Sequence, residues 1–156
     1  MNTYREIQQF LYREARIMDE HRYQDWLDLW TSDAHYWIPC NDEDGDINDK
    51  IALVNERRAG VEDRVKRLCG TGHYAQEPKS RMSRVVSNIE ILEDSDDRVV
   101  VASVFSLTAI RRGKTDIVAG RTTHWLTRSG DDYRISAKKI LLAGNNEVMT
   151  NLTFLV

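Results

Sequence analysis

The 156-residue sequence has room for one domain of ordinary size and not for two. It is 41% hydrophobic, 30% charged and 8% aromatic, a globular balance that excludes a disordered tail, a collagen-like repeat and a low-complexity array. The net charge of −3 gives no global pull toward nucleic acid, and no apolar run approaches the roughly 18 residues needed to span a bilayer. The opening residues, Met1 to Glu6, carry no basic-then-apolar stretch, so no secretory signal is expected. Cys40 and Cys69 stand far apart, outside any Cys-x-x-Cys, and read as reduced thiols of a cytoplasmic protein.

From Thr3 the apolar residues Ile7, Phe10, Leu11, Ile17 and Met18 line one helical face, and Thr3 with Glu6 has the spacing of a capping box. A shorter amphipathic segment carries Tyr23, Trp26, Leu27 and Trp30. Ala34 to Ile38, ended by Pro39, is a short strand by its aromatic content. Asn41 to Asp49, with five carboxylates, reads as a solvated loop. A third helix is predicted from about Lys50 to Leu68, with Ile51, Val54, Val61, Val65 and Leu68 inward. Four strand windows come next: Met82 to Leu92, Arg98 to Ile110, Ile117 to Thr127 and Tyr133 to Leu142. The turn signals between them are short, so neighbouring strands are antiparallel. Helices first and a meander second give an α+β fold, with N-terminal helices packed on a strongly curved, mainly antiparallel sheet, a single domain over residues 1–156.

Several motif matches lack their physical context. Gly70-Thr71-Gly72-His73-Tyr74-Ala75 fits a dinucleotide fingerprint, but a charged helix precedes it and Glu77-Pro78 interrupts any helix after it. It reads as a loop after a helix. Asn151-Leu152-Thr153 is a glycosylation sequon in a chain with no expected signal peptide. Arg111-Arg112-Gly113-Lys114 reads as a hairpin turn and not as a phosphate site. His21, His35, His73 and His124 are too widely spaced for one helix or turn to present two metal ligands, and read as surface or interface histidines.

Acid–base chemistry has one candidate constellation, in a pocket between helices and sheet: Asp19, Asp25, His35, Tyr36 and His73. Asp19, at the end of the first helix, either points into such a pocket or caps the next helix. Asp25 lies off the face of Trp26 and Trp30, in a solvated position.

Four segments, in order along the chain, resemble the small (β) subunits of aromatic-ring-hydroxylating dioxygenases. They are Arg13 to Asp19 with Tyr23 to Leu27 and Ser32 to Pro39; Val61 to Val65; Ser83 to Ile89; and Arg111 to Asp116 with Ala119-Gly120-Arg121 and Thr150 to Leu155. The opening half is most similar to the branch whose partners act on benzoate-like acids. The resemblance implies a cone-shaped fold shared with nuclear transport factor 2, ketosteroid isomerase and scytalone dehydratase. It implies pairing with an α subunit, three α with three β, that carries a Rieske [2Fe–2S] cluster and a mononuclear Fe(II). Electrons would reach α from NADH through a separate reductase or ferredoxin, for cis-dihydroxylation of an arene. No membrane or nucleic acid is implied as a partner.

The residues agree with that division of labour. A Rieske cluster needs Cys-x-His and Cys-x-x-His. Cys40 is followed by Asn41-Asp42, and His73 falls one position too late after Cys69. No two-His, one-carboxylate set is recognisable. We therefore expect no catalytic, cofactor-binding or metal-ligating residue on this chain, and a structural role in trimerising and supporting α. The competing reading is a free-standing cone-fold dehydratase or isomerase, or a small-molecule binding module. The dehydratases with this fold pair an Asp with a His; the Asp would fall at Asp19, but Arg84 stands where the His would. A guanidinium cannot act as a general base near neutral pH. For assembly, the expected contact set is Trp26, Trp30, Trp37 and Trp125 with Arg111, Arg112, Arg121 and Arg128, acting as a set; taken singly, each tryptophan reads as core and each arginine as solvated.

Overall fold

The computed structural model describes residues 2–39, 52–70, 79–143 and 156. Helix α1 (Thr3–Asp19) begins at Asn2, whose side chain accepts from the Tyr4 N–H at 3.1 Å. The expected capping box does not form. Asn2, a strong cap one residue earlier, takes the role, and Glu6 instead accepts from the Tyr133 hydroxyl at 3.0 Å. Ile7, Phe10, Leu11, Ile17 and Met18 are buried as predicted, and Glu14 is buried among them. His21, in left-handed backbone (φ 56°), turns the chain into α2 (Tyr23–Asp28). Its ring is held between the Tyr23 hydroxyl at 2.6 Å and the Ser80 carbonyl at 2.7 Å.

Strand β1 (Trp30–Pro39) starts four residues before the predicted strand and takes Trp30 from the second helical segment. The predicted helix over 50–68 is corrected at its start. Ala52–Arg57 forms strand β2, and helix α3 spans Arg58–Cys69. The free edge of β1 captures β2 in antiparallel register, with Ile38 opposite Val54 and His35 opposite Arg57. Tertiary pairing here overrides a helical spacing of apolar residues, and α3 starts at Arg57 without a side-chain cap to announce it. Val61, Val65 and Leu68 do face inward.

The four predicted windows are strands β3 (Arg81–Asp94), β4 (Arg98–Arg111), β5 (Lys114–Ser129) and β6 (Asp132–Leu142). The six strands form one sheet in the order β2-β1-β6-β5-β4-β3. All neighbours are antiparallel except β1 and β6, which run parallel. The β4–β5 turn has positive φ at Arg112 (52°) and Gly113 (76°), the backbone that a tight two-residue hairpin needs. Irregularities in register bend the long strands. Asn88 takes φ 51° where the β3–β4 register shifts. On β6, Ser136 is an extra residue between the pairs Leu126–Ile135 and Trp125–Ala137, and its hydroxyl donates to the Trp125 carbonyl at 2.9 Å.

The helices lie on one face of the sheet, and the core is between the two layers. At its centre Trp26, Trp30 and Tyr36 meet edge to face, with ring centroids 5.3–5.8 Å apart. Trp26 and Trp30 are therefore core residues, as each reads singly, and drop out of the contact set. Asn41 to Asp49, Gly72 to Ala75 and the sequon at Asn151 lie outside the described residues.

Candidate functional site

The polar interior is built on α1. Positions Ile7, Leu11, Glu14 and Met18 are spaced by four, three and four residues, so Glu14 occupies the apolar face. On β5, alternation sends Thr122, His124 and Leu126 inward. The extra residue Ser136 flips the phase of β6, so that Lys138 points inward as Tyr133 and Ile135 do. His124 and Lys138 are direct cross-strand neighbours, and both meet Glu14. Glu14 Oε1 lies 2.8 Å from His124 Nε2; Glu14 Oε2 accepts from Lys138 Nζ and Trp26 Nε1, each at 3.1 Å. All three titratable side chains are almost fully buried.

Burial by itself would raise the Glu14 carboxyl, but the Lys138 ammonium and His124 outweigh it and hold the group well below the usual carboxylate range. Burial lowers both His124 and Lys138, against the pull of Glu14. His124 is thus a neutral imidazole that donates from Nε2 to the carboxylate. Its Nδ1 has no partner among the described residues. The reading of His124 as a surface or interface histidine is overturned: it is a core residue tied to a carboxylate.

One turn further along α1, Asp19 does not cap α2. Its Oδ2 accepts from the Arg84 backbone N–H at 2.9 Å, and its Oδ1 accepts from the Arg84 guanidinium. Burial lowers Arg84, and Asp19 opposes that. The expected juxtaposition of Arg84 and Asp19 is thus a real contact, made by a guanidinium where a dehydratase has its base.

The remaining candidates do not converge. Tyr36 is buried, its hydroxyl donates to the Val156 carbonyl at 3.0 Å, and burial pushes it up to about 12. His35 lies on the opposite face of the sheet beside Asn55 Oδ1, 3.0 Å away, and is lowered by partial burial. Asp25 is exposed and accepts from Arg22 Nε at 2.8 Å. His73 lies outside the described residues. Among the described residues, the interior space beside these groups is a cavity of about 20 Å³ lined by Leu11, Glu14, Arg84, Phe105, His124 and Val156. That is room for about one water, against the roughly 300 Å³ or more of a small-ligand pocket.

The face of the sheet away from the helices is different. Trp37 and Trp125, with His35, Arg57, Arg98 and Lys139, line an open trough of about 420 Å³. Lys139 Nζ sits 4.8 Å from the Trp37 ring centroid. Arg121 lines an adjoining hollow of about 340 Å³. Of the expected contact set, Trp37, Trp125 and Arg121 thus share this face. Arg128 does not: it donates to Asp94 at 2.6 Å and to the Tyr133 hydroxyl at 2.9 Å. Arg111 and Arg112 are at the β4–β5 turn.

The sequence profile of the family described as "Ring hydroxylating beta subunit" matches residues 13–150. The chain belongs to that family. It is a β subunit of a ring-hydroxylating dioxygenase system. It is 32% identical over 142 residues to the small oxygenase component of the p-cumate 2,3-dioxygenase system of Pseudomonas putida, covering 90% of this chain and 79% of that one. Its fold is similar to the β subunit of benzoate 1,2-dioxygenase from Burkholderia mallei, with TM-score 0.76, 28% identity, and 96% of this chain and 95% of that one covered. A protein described as a scytalone dehydratase from Novosphingobium aromaticivorans shares the fold alone: TM-score 0.67, 13% identity, 89% of this chain and 83% of that one. The predicted α+β cone and the β-subunit resemblance both hold. Among the described residues, no three His, Cys, Asp or Glu side chains gather to hold a metal ion. No described helix is long and apolar enough to cross a membrane.

Proposed function

We propose that this ring-hydroxylating β subunit is the non-catalytic assembly subunit of its oxygenase, with no catalytic, cofactor-binding or metal-ligating residue of its own. One domain spans residues 1–156 and works in the cytoplasm. Three copies assemble with three α subunits, and each α holds a Rieske [2Fe–2S] cluster and a mononuclear Fe(II). A reductase or ferredoxin delivers electrons to α, which cis-dihydroxylates a benzoate-like aromatic acid. Relatives that act, by name, on p-cumate and benzoate support that substrate class.

One observation carries the non-catalytic reading. Among the described residues, the interior that would have to hold an arene has about 20 Å³ free, and its polar groups are turned on one another: Asp19 to Arg84, Glu14 to Lys138 and His124. The test is reconstitution. The purified chain should contain no iron by elemental analysis and oxidise no aromatic acid, whereas α with the chain should sediment as a mixed oligomer and turn over. Stoichiometric iron in the isolated chain, or full assembly and turnover by α without it, refutes the proposal.

A further inference from the structure

Val156 stands inside the molecule, 3% exposed, although it belongs to no helix or strand. It shares the wall of the interior cavity with Leu11 and Met18 of α1, Val86 of β3 and Phe105 of β4. Its main-chain oxygen accepts from the Tyr36 hydroxyl at 3.0 Å, the one hydrogen bond of that hydroxyl among the described residues. Tyr36 is itself 1% exposed, so this is a buried donor committed to a single acceptor.

The rest of the core is delivered by helical and strand periodicity, each side chain fixed by the layer that carries it. Val156 is placed differently. It is held by an apolar side chain on one hand and by one oriented hydrogen bond on the other. Small-ligand sites have the same make-up, with mostly apolar walls between packed elements and a few placed polar groups that fix orientation. About 20 Å³ remains beside Val156, so the enclosure is slightly larger than its occupant.

The polar neighbours decide what else could sit there. Glu14 is committed to Lys138 and His124, and Asp19 to Arg84. The Tyr36 hydroxyl is the donor that the place of Val156 must answer, because a buried donor without an acceptor is costly. An occupant therefore presents one acceptor oxygen to Tyr36 and a branched or ring hydrocarbon group to Leu11, Met18 and Phe105.

We propose that Val156 is an internal ligand. It occupies a latent site for a small branched or aromatic group that carries a carbonyl or carboxylate oxygen. Occupancy by the chain's own residue is why this interior has so little free space, and the assembly role stands with or without it.

In the full chain, Val156→Cys puts a thiol at the site, and exposed Cys69 is the internal standard. Reaction with a maleimide, followed on peptides by mass spectrometry, should be about 100-fold slower at position 156 than at Cys69. Adding Tyr36→Phe removes the donor and should speed the reaction at position 156 about 2–10-fold. Deleting Val156 leaves the site to a soluble substitute. Isovalerate carries the isopropyl group of valine with a carboxylate, and isovaleramide carries it with a neutral carbonyl. A ligand that binds only the folded chain raises the folding constant about elevenfold at ten times its Kd. Urea unfolding of the chain lacking Val156 should show a gain of that size, saturating at millimolar concentration, with at least one of the two compounds. Acetate and acetamide, which lack the isopropyl group, should give none. Where the deletion leaves the chain unfolded, the same titration is read as recovery of the far-UV circular dichroism signal. Labelling at position 156 as fast as at Cys69 overturns the proposal, because Val156 is then not seated. Protection at position 156 with no gain from either isovaleryl compound, or with the same gain from acetate or acetamide, also overturns it and makes Val156 ordinary core. Both of those results leave the assembly role standing.

Discussion

Replacing Glu14 with Gln keeps the shape of the side chain and removes its charge, which makes it a direct test of the polar interior. In the native protein Glu14 accepts from Lys138, His124 and Trp26 in a site where both it and Lys138 are 3% exposed. The substituted amide would still accept from Trp26 or Lys138, but the ammonium would be left buried without a counter-ion. Removing one partner of a buried ion pair typically costs about 3–5 kcal/mol. In a chain of this size each kcal/mol lowers Tm by about 2–4 °C, so a drop of about 6–20 °C is expected. Urea unfolding of the isolated chain measures the free energy and a thermal scan the shift. Adding Lys138→Met to Glu14→Gln removes the stranded charge and should recover most of the loss. The assay has a second arm: below its Tm, the assembled oxygenase with Glu14→Gln should turn over within a few fold of wild type. A single-variant loss under about 1 kcal/mol, or no recovery in the double variant, refutes a buried and charged pair. A turnover loss of about 10² or more with the oligomer intact means that Glu14 moves a proton in the reaction.

Asp19→Asn leaves the Arg84 guanidinium, 2% exposed, with a neutral partner, and should destabilise the chain while changing turnover of the assembled oxygenase only a few fold. Steady-state kinetics that showed a loss on the order of 10²–10⁴ would make Asp19 a proton-transfer group. Gly120→Ala would put a Cβ 2.5 Å from the Leu141 carbonyl oxygen and 3.1 Å from the Phe105 ring, so β5 and β6 must separate. A loss of about 1–3 kcal/mol in urea is expected, and a neutral change would mean that the strands are farther apart than this geometry. His124 is lowered from 6.5, so below that pH the unfolded chain binds a proton that the folded one refuses. Stability should fall as pH drops below about 6.5, and His124→Gln should flatten that slope between about pH 7 and 5 in urea titrations. The Glu14 contribution is held down to lower pH, because its carboxyl must be protonated before the pair is lost.

Legibility in the sequence depends on whether a residue's face follows from simple periodicity. Strands β3 to β6 are readable because β-branched runs alternate between clear turn signals, and α1 because its apolar stripe is continuous. Strand β2 is not: Ile51, Val54 and Val61 fit a helical wheel, and only the open edge of β1 decides otherwise. Glu14 could have been found, since a carboxylate at i+3 from Leu11 and i−4 from Met18 stands within the apolar stripe. The inward position of His124 also follows from the alternation Thr122, His124, Leu126. Lys138 could not be found. Counting by twos from Ile135 puts it outside, and the extra residue Ser136 that reverses the phase leaves no turn residue or glycine as a sign. Trp26 and Trp30 are core, as each reads singly, and aromatic content alone does not show which members of the tryptophan set reach a surface.

The polar contacts of α1 give a reason for costly buried charge to persist in a structural subunit. Glu6 meets Tyr133, Arg13 Nη2 donates to both carboxylate oxygens of Asp132, Glu14 joins β5 and β6, and Asp19 joins β3. An apolar stripe could bind the sheet almost as well after sliding by a turn of about 5.4 Å. Partners on three strands match in one position only, so the charges fix where the helix lies. We predict that the triple variant Glu14→Leu, His124→Leu and Lys138→Met stays folded and loses little stability, because apolar replacement of a buried charged set is often neutral or stabilising. What it should lose is a single packing: a weaker near-UV circular dichroism signal from Trp26 and Trp30, and reduced assembly with α. If the triple variant keeps the wild-type near-UV spectrum and assembles normally, the buried charges do not set the helix position, and shape complementarity of the apolar stripe is enough.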